Sequence, residues 1–181
     1  MLTIHTLTPI EHDFENSNYS YQTELTLKLD NLNSNFDQEI INEIVLWKVN
    51  RFASIDTDTF NLLNEIKKTD TVLNPELTGA ILLKLLHKDQ KGIRLAMAST
   101  ILRFKNPIVY QIIDQRVYRF IYGTELKYSE TDINQQIKIY LDYLKRLKEI
   151  CLDQKIKFDM ADRIFYSMDK IYNADIKLNG Y

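Results

Sequence analysis

The stretch LLKLLHKDQKGIRLAMASTILRFKNPIVYQIIDQRVYRF, residues 82–120, decides how this chain is interpreted. A leucine-rich helical pattern ends near Gly92, and a helix rich in small residues begins by about Leu95. After an Asn-Pro break, a short apolar run leads directly to Asp114, which stands where the next helix begins. A carboxylate at such a point either caps the helix or is held there for chemistry.

The composition is typical of a soluble globular protein. The chain has 181 residues, of which 45% are hydrophobic and 27% charged, and this fits one domain with a real core. Cys151 is the only cysteine, which excludes an internal disulfide and fits a reducing cytoplasm. The N-terminal residues lack the pattern of a signal peptide, and no apolar run is long enough to span a membrane. We therefore predict a cytoplasmic protein without a membrane partner.

Charge is distributed unevenly along the chain. The segment from Lys84 to Arg119 carries eight basic and two acidic side chains, a net charge of +6. The rest of the chain has fifteen basic and twenty-three acidic side chains, a net charge of −8. A basic centre in an acidic chain indicates either a local anionic ligand or a solvated helix face.

Two regions are predicted from the pattern of apolar residues. Alternation from Tyr21 to Leu29 predicts a half-buried strand in an N-terminal extension, residues 1–36, that packs on a helical main domain, residues 37–181. The helices of the main domain are predicted from cap residues and apolar spacing. One helix is predicted from Asp37 to about Phe52, one around Thr59–Lys67 and one from Asn74-Pro75 to near Gly92. A further helix begins by about Leu95, another runs from Asp114 to Gly123, and the last two begin at Ser129 and at Asp159.

Two short motifs in the opening stretch resemble the helix-hairpin-helix DNA glycosylase superfamily. KGIR at residues 91–94 corresponds to the hairpin between two helices, and the Ile113-Asp114 pair corresponds to the catalytic position. The resemblance covers residues 81–121. It implies a mainly α fold, a helix-hairpin-helix glycosylase-like domain carrying a short N-terminal β or irregular segment.

The resemblance also implies an activity, the excision of a base from DNA, with Asp114 as the catalytic residue. Ala96 occupies the position where bifunctional members of the superfamily carry a nucleophilic lysine. Because alanine cannot form a Schiff base, we expect a monofunctional enzyme that uses water and leaves an abasic site. The four-cysteine iron–sulfur motif of some relatives is absent from the sequence, and no metal or other cofactor is predicted.

The expected binding residues follow from the same resemblance. Arg94 replaces the second hairpin glycine, so it either disturbs the phosphate-binding backbone or supplies its own phosphate contact. Trp47 either lines the base pocket or belongs to the core, as most single tryptophans do. Contacts to DNA are expected from Lys88, Lys91, Gly92, Arg94, Ser99 and Arg116, and contacts to the flipped base from Trp47, Asn50 and Tyr110.

The chemistry explains why a carboxylate is needed. Cleavage of an N-glycosidic bond builds positive charge on the sugar, which a nearby carboxylate stabilises while it activates water. The predicted partner is therefore double-stranded DNA containing a damaged or modified base, bound by a monomer in host repair or in defence against phage DNA. Two alternatives are a non-catalytic helix-hairpin-helix DNA-binding module and a helical protein-interaction domain whose basic centre meets an acidic partner.

Overall fold

The computed structural model describes residues 3–6, 23–48, 55–90 and 92–178 of the chain. Within these ranges the protein forms eight α-helices and no strand, which confirms the predicted mainly α fold, whereas the helix-hairpin-helix glycosylase assignment stays a prediction. No helix in these ranges combines the length and apolarity needed to cross a membrane. The helices are α1 (Thr23–Asp30), α2 (Gln38–Lys48), α3 (Thr57–Glu65), α4 (Pro75–Leu85), α5 (Leu95–Lys105), α6 (Gln115–Tyr122), α7 (Ile133–Asp153) and α8 (Ala161–Tyr172).

The predicted strand near the N-terminus is wrong, because residues 23–30 form α1. Leu25 and Leu29 are four residues apart, a spacing that fits both the two-residue period of a strand and the 3.6-residue period of a helix. Leu29 is fully buried, whereas Leu27, which a strand would have turned to the same side, is 58% exposed. Tyr21 lies outside the described residues.

Several helix termini are confirmed where the local cap chemistry is strong. The Asp37 carboxylate accepts a hydrogen bond from the Ile40 N–H, at 2.9 Å, at the start of α2. Asn74 caps α4 through its side chain, and proline follows at the first helical position. Gly123 ends α6 with a φ of 71°, a left-handed conformation that glycine adopts without strain.

Other termini differ from the prediction. The helix expected from Ser129 begins at Ile133, because the side chain of Asp132 accepts the cap hydrogen bond from the Gln135 N–H. Asp159 lies in a 3₁₀ turn, Phe158–Met160, that precedes α8. Helix α3 starts earlier than expected because Asp56 caps it. Helix α4 ends at Leu85, before the Gly92 turn. The predicted end of α2 near Phe52 lies outside the described residues.

The interior is organised around α5. Ten of its eleven residues are buried, with Ala96 as the exception. Helix α2 packs against α5, α6 packs against α8, and α4 packs against both α3 and α7. The resulting core places the end of the chain between α5 and α6, residues 109–114, inside the protein, whereas Ile108 is exposed.

The N-terminal residues contact the main domain at several described places. The Ile4 N–H donates a hydrogen bond of 3.0 Å to the Phe120 carbonyl at the end of α6, and the Ile4 side chain is buried. Helix α1 packs against α2. The boundary between residues 36 and 37 stays a prediction.

Candidate active site

Asp114 stands at the N-terminus of α6, as its sequence context predicts. Its backbone is extended, with φ −124° and ψ 152°, and its carbonyl accepts the first helical hydrogen bond, from the Tyr118 N–H at 2.8 Å. One carboxylate oxygen, Oδ1, accepts from the Arg116 N–H at 2.8 Å. Asp114 is therefore a helix cap, and the side chain is 7% exposed.

The segment before Asp114 has no regular secondary structure, yet several of its backbone polar groups are hydrogen-bonded to side chains. The Ser99 hydroxyl on α5 accepts a hydrogen bond of 3.1 Å from the Ile113 N–H and donates one of 2.8 Å to the Ala96 carbonyl. From α8, the Asp162 carboxylate accepts from the Ile112 N–H at 3.3 Å. Such pairing is needed because a buried backbone group without a partner is costly.

Two tyrosines of α7 complete the support of this segment. The Tyr143 hydroxyl donates a hydrogen bond of 2.6 Å to the Ile112 carbonyl, and the Tyr140 hydroxyl donates one of 3.0 Å to the Gln111 carbonyl. Burial raises the pKa of both phenols well above its ordinary value, and neighbouring negative charge adds to the effect. Both therefore remain neutral donors, and the position of Asp114 is fixed from α5, α7 and α8 together.

The sequence did not predict that Lys48 lies opposite Asp114. The Lys48 ammonium, at the end of α2, lies 3.8 Å from Oδ2 of Asp114, and the lysine side chain is 19% exposed. Little water screens the attraction between these two opposite charges, because both side chains are mostly buried. One signal could have identified Lys48: it falls on the apolar face of α2, in register with Ile41 and Ile44.

The loop that precedes α5 contains the exposed residues among the predicted DNA contacts. Lys88, Gly92 and Arg94 are all exposed, and Gly92 adopts a left-handed φ of 75°. The Arg94 guanidinium forms an exposed ion pair of 2.9 Å with Glu130. Lys91 lies outside the described residues. The loop presents basic groups to solvent, as a phosphate-binding turn requires.

Two other predicted DNA contacts occupy different environments. Ser99 is fully buried and hydrogen-bonded within the core, so its expected phosphate contact is wrong for this conformation, and it holds the Asp114 segment instead. The Arg116 side chain is 26% exposed and reaches Asp169 on α8 at 3.3 Å. It is thus partly available to a ligand at the surface.

The aromatic residues predicted for a base pocket are enclosed. Trp47 is 3% exposed, donates a 2.7 Å hydrogen bond to the Thr26 hydroxyl, and meets the Phe104 ring edge-on. Tyr110 is 2% exposed, with its hydroxyl 3.0 Å from that of Thr78. Neither ring offers a face to a base in this conformation, which fits the core alternative for Trp47 and corrects the base contact expected of Tyr110. Asn50 lies outside the described residues.

Much of the predicted basic centre is also internal. Arg119 is fully buried and binds the Asp169 carboxylate with two hydrogen bonds, of 2.9 and 2.5 Å. Arg103 is 2% exposed and binds Asp30 of α1. Lys105 is 6% exposed. The net charge of the segment therefore overstates how basic the surface is, because buried charges are bound to partners inside the fold.

Within the described ranges, no three His, Cys, Asp or Glu side chains come together in a way that could hold a metal ion. Comparison with protein-family models, with curated proteins and with solved structures finds no match to this chain. The interpretation of the site therefore depends on the geometry of its own side chains.

Proposed function

We propose that the protein is a monofunctional DNA N-glycosylase that removes a damaged or modified base from double-stranded DNA. The single observation that supports this proposal most is the structural environment of Asp114. Its carboxylate is held at a helix start, largely shielded from water, by a non-helical segment that three other helices support through side chains. A plain surface cap needs no such support, whereas a catalytic group must be held rigidly.

The reaction would begin when the target nucleotide leaves the stack, at a cost of a few kcal/mol. As the N-glycosidic bond breaks, both bonding electrons leave with the base and positive charge develops on the sugar. The Asp114 carboxylate would stabilise that charge and accept a proton from the water that attacks the sugar, and solvent would carry a proton to the departing base. The sugar cation would then take the place of the Lys48 ammonium as the nearest positive charge.

The exposed loop before α5 would hold the DNA backbone. Lys88 and Arg94 supply charge, and the left-handed turn at Gly92 brings the main chain close to a phosphate. The Arg94–Glu130 ion pair is exposed on both sides, so exchanging it for a phosphate costs little. We propose that a monomer acts in this way in the cytoplasm, in host repair or in defence against phage with modified DNA.

The test uses the variant Asp114→Asn, which keeps the shape and cap of the side chain but removes its charge. Genomic DNAs that differ in base modification are incubated with the protein, and released bases are measured by mass spectrometry. We expect Asp114→Asn to reduce base release by at least a hundredfold while duplex binding in a gel shift is retained. Asp142→Asn, an exposed carboxylate on α7, is the matched control and should release bases at the wild-type rate. Equal rates for wild type and Asp114→Asn would refute the assignment.

One observation favours the second candidate, a non-catalytic DNA-binding module. The Asp114 carboxylate already has a helix N–H and a lysine ammonium as partners, which is a complete structural role. In that case the wild-type protein retards duplex DNA with a steep dependence on salt but releases no base from any of the DNAs.

A further inference from the structure

A cleft of about 310 Å³ lies away from Asp114, where the C-terminus of α5 meets the loops that follow α1 and α3. Ser99, which supports the Asp114 segment, and Lys105, which lines the cleft, are six residues apart on α5, or about 9 Å along the helix axis. The volume falls at the lower end of the range for small-molecule sites. The cleft is lined by Leu32, Asn33, Ser34, Asn35, Phe36, Asn64, Ile66, Lys67, Lys68, Thr69 and Lys105.

The walls of the cleft are fixed by hydrogen bonds. The Asn64 side chain accepts from the Phe36 N–H at 2.9 Å and donates to the Phe36 carbonyl at 3.3 Å, which ties the loop after α1 to the last turn of α3. The Asn106 amide donates to the carbonyls of Lys67 and Asp70, at 2.7 and 2.9 Å. A ligand can bind to such a site without the entropic cost of ordering its loops.

Three ammonium groups converge on the cleft, and none of the lining residues in the described ranges is acidic. Lys105 is 6% exposed, and its Nζ donates to the neutral Asn64 amide at 2.8 Å and lies 4.8 Å from the centre of the Phe36 ring. Lys67 and Lys68 donate to the backbone carbonyls of Asn64 and Asp30, at 2.8 and 3.2 Å. In the described part of the chain, no carboxylate lies within ion-pair distance of Lys105.

The positive charges that line the cleft disfavour one another. Burial, followed by the positive charges of Lys67 and Lys68, lowers the pKa of Lys105 to about 8. Burial also lowers the pKa of Lys68, although the Asp30 carboxylate opposes that shift. An anion between these ammonium groups would relieve their repulsion and favour the protonated form of Lys105.

The remaining lining suits a ligand that is more than a bare ion. Leu32, Phe36 and Ile66 form an apolar wall, while the amides of Asn33 and Asn35 offer neutral donors and acceptors. An anionic group at the lysines, attached to a small uncharged body against the wall, would use both parts. We propose that the cleft binds the phosphate group of a small phosphorylated molecule, at a site independent of Asp114 and of DNA.

The probe for this proposal is sodium sulfate, which remains a dianion from pH 5 to 10, so any pH dependence comes from the protein. Amide NMR shifts of the intact protein are followed during the titration, with sodium chloride at matched ionic strength as the reference. Saturable shifts centred on Ser34, Asn35, Lys68 and Thr69 support the site. Shifts that match those in chloride overturn it. Inorganic phosphate at pH 8 should reproduce the sulfate pattern.

Variants separate a built site from general charge. Lys105→Met should raise the sulfate Kd about tenfold or more, because it removes a charge-assisted hydrogen bond. Lys67→Met, at the rim, provides a second variant that leaves the core intact, and it should weaken binding as well. Lys138→Met, an exposed lysine on α7, should leave the Kd unchanged. Equal Kd values for all three variants would overturn the proposal.

Two further measurements identify the class of ligand and test whether its binding is independent of the proposed function. Among the described residues, Lys67 and Lys68 are the charged groups that lower the pKa of Lys105, which is about 8. Sulfate binding should therefore weaken between pH 7 and 9.5 as Lys105 loses its proton. A short DNA duplex should not displace sulfate, since displacement would assign the cleft to the DNA backbone and overturn the small-molecule proposal. Asp114→Asn should bind sulfate normally, whatever its effect on base release.

Discussion

Lys48, the last residue of α2, places its ammonium nitrogen 3.8 Å from the carboxylate of Asp114 at the start of α6. The pair joins two helices that are far apart in sequence. Because the aspartate side chain is 7% exposed, the lysine ammonium provides part of the electrostatic stabilisation that water gives to an exposed carboxylate. The stability of the protein and the state of the candidate site are thus linked through one ion pair.

Replacing Lys48 by methionine keeps the aliphatic part of the side chain and removes its charge. We expect the free energy of unfolding to fall by about 1–3 kcal/mol, because Asp114 loses a charged neighbour in a shielded position. Urea denaturation followed by circular dichroism measures the change. Lys138→Met, which breaks an exposed pair with Asp142, is the control and should cost no more than about 0.5 kcal/mol. A loss no larger than that of the control would mean that the Lys48–Asp114 pair contributes nothing.

Borohydride trapping on DNA that contains an abasic site tests the monofunctional proposal. We expect no covalent adduct, because Ala96 has no amine and an ammonium paired with a carboxylate is not a nucleophile. Lys48 is nevertheless the amine beside Asp114. An adduct that forms with the wild type and disappears in Lys48→Met would show a bifunctional enzyme with its nucleophile on α2.

Ser99→Ala tests whether internal support of the Asp114 segment matters for the chemistry. The substitution leaves the Ile113 N–H without its acceptor in a fully buried position, which should cost about 1–3 kcal/mol. Displacement of the carboxylate should reduce base release by roughly tenfold to a hundredfold, with little change in duplex affinity. Ser129→Ala, in an exposed loop, serves as the comparison. If Ser99→Ala weakened duplex binding as much as base release, a direct DNA contact would have to be reconsidered.

Cys151 should be chemically silent in the folded protein. Burial, with a contribution from the Asp162 charge, raises the pKa of its thiol to about 12, so almost no thiolate exists at pH 8. We expect no reaction with a disulfide reagent such as Ellman's reagent in buffer, and one equivalent released per chain in urea. Rapid reaction of the native protein would show that α7 opens locally.

Sequence patterns predicted the parts of the fold that local chemistry controls. The cap of α4 at Asn74 and the limits of α6 at Asp114 and Gly123 follow from residues within a few positions of one another. The pattern failed at α1, where Leu25 and Leu29 satisfy two periods at once and only the packing of Leu29 into the core decides between them.

The candidate site was likewise predictable only where local sequence controls the structure. The helix start at Asp114 was predictable, but the ion pair of Asp114 with Lys48 and the hydrogen bond from the Ile113 N–H to Ser99 depend on how α2, α5 and α6 pack. The enclosed positions of Trp47 and Tyr110 likewise depend on distant residues such as Thr26 and Thr78. Sequence alone gives the residue types available but not which face of each helix meets the interior.

The chain before Asp114 is held from within the protein, whereas the loop at Gly92 faces solvent. Substitutions on that outer loop can therefore alter how tightly a polyanion is gripped without shifting the carboxylate. Binding affinity and catalytic rate could therefore be changed separately, by natural selection or by protein engineering. Variants at Lys88 or Arg94 would be the first to make.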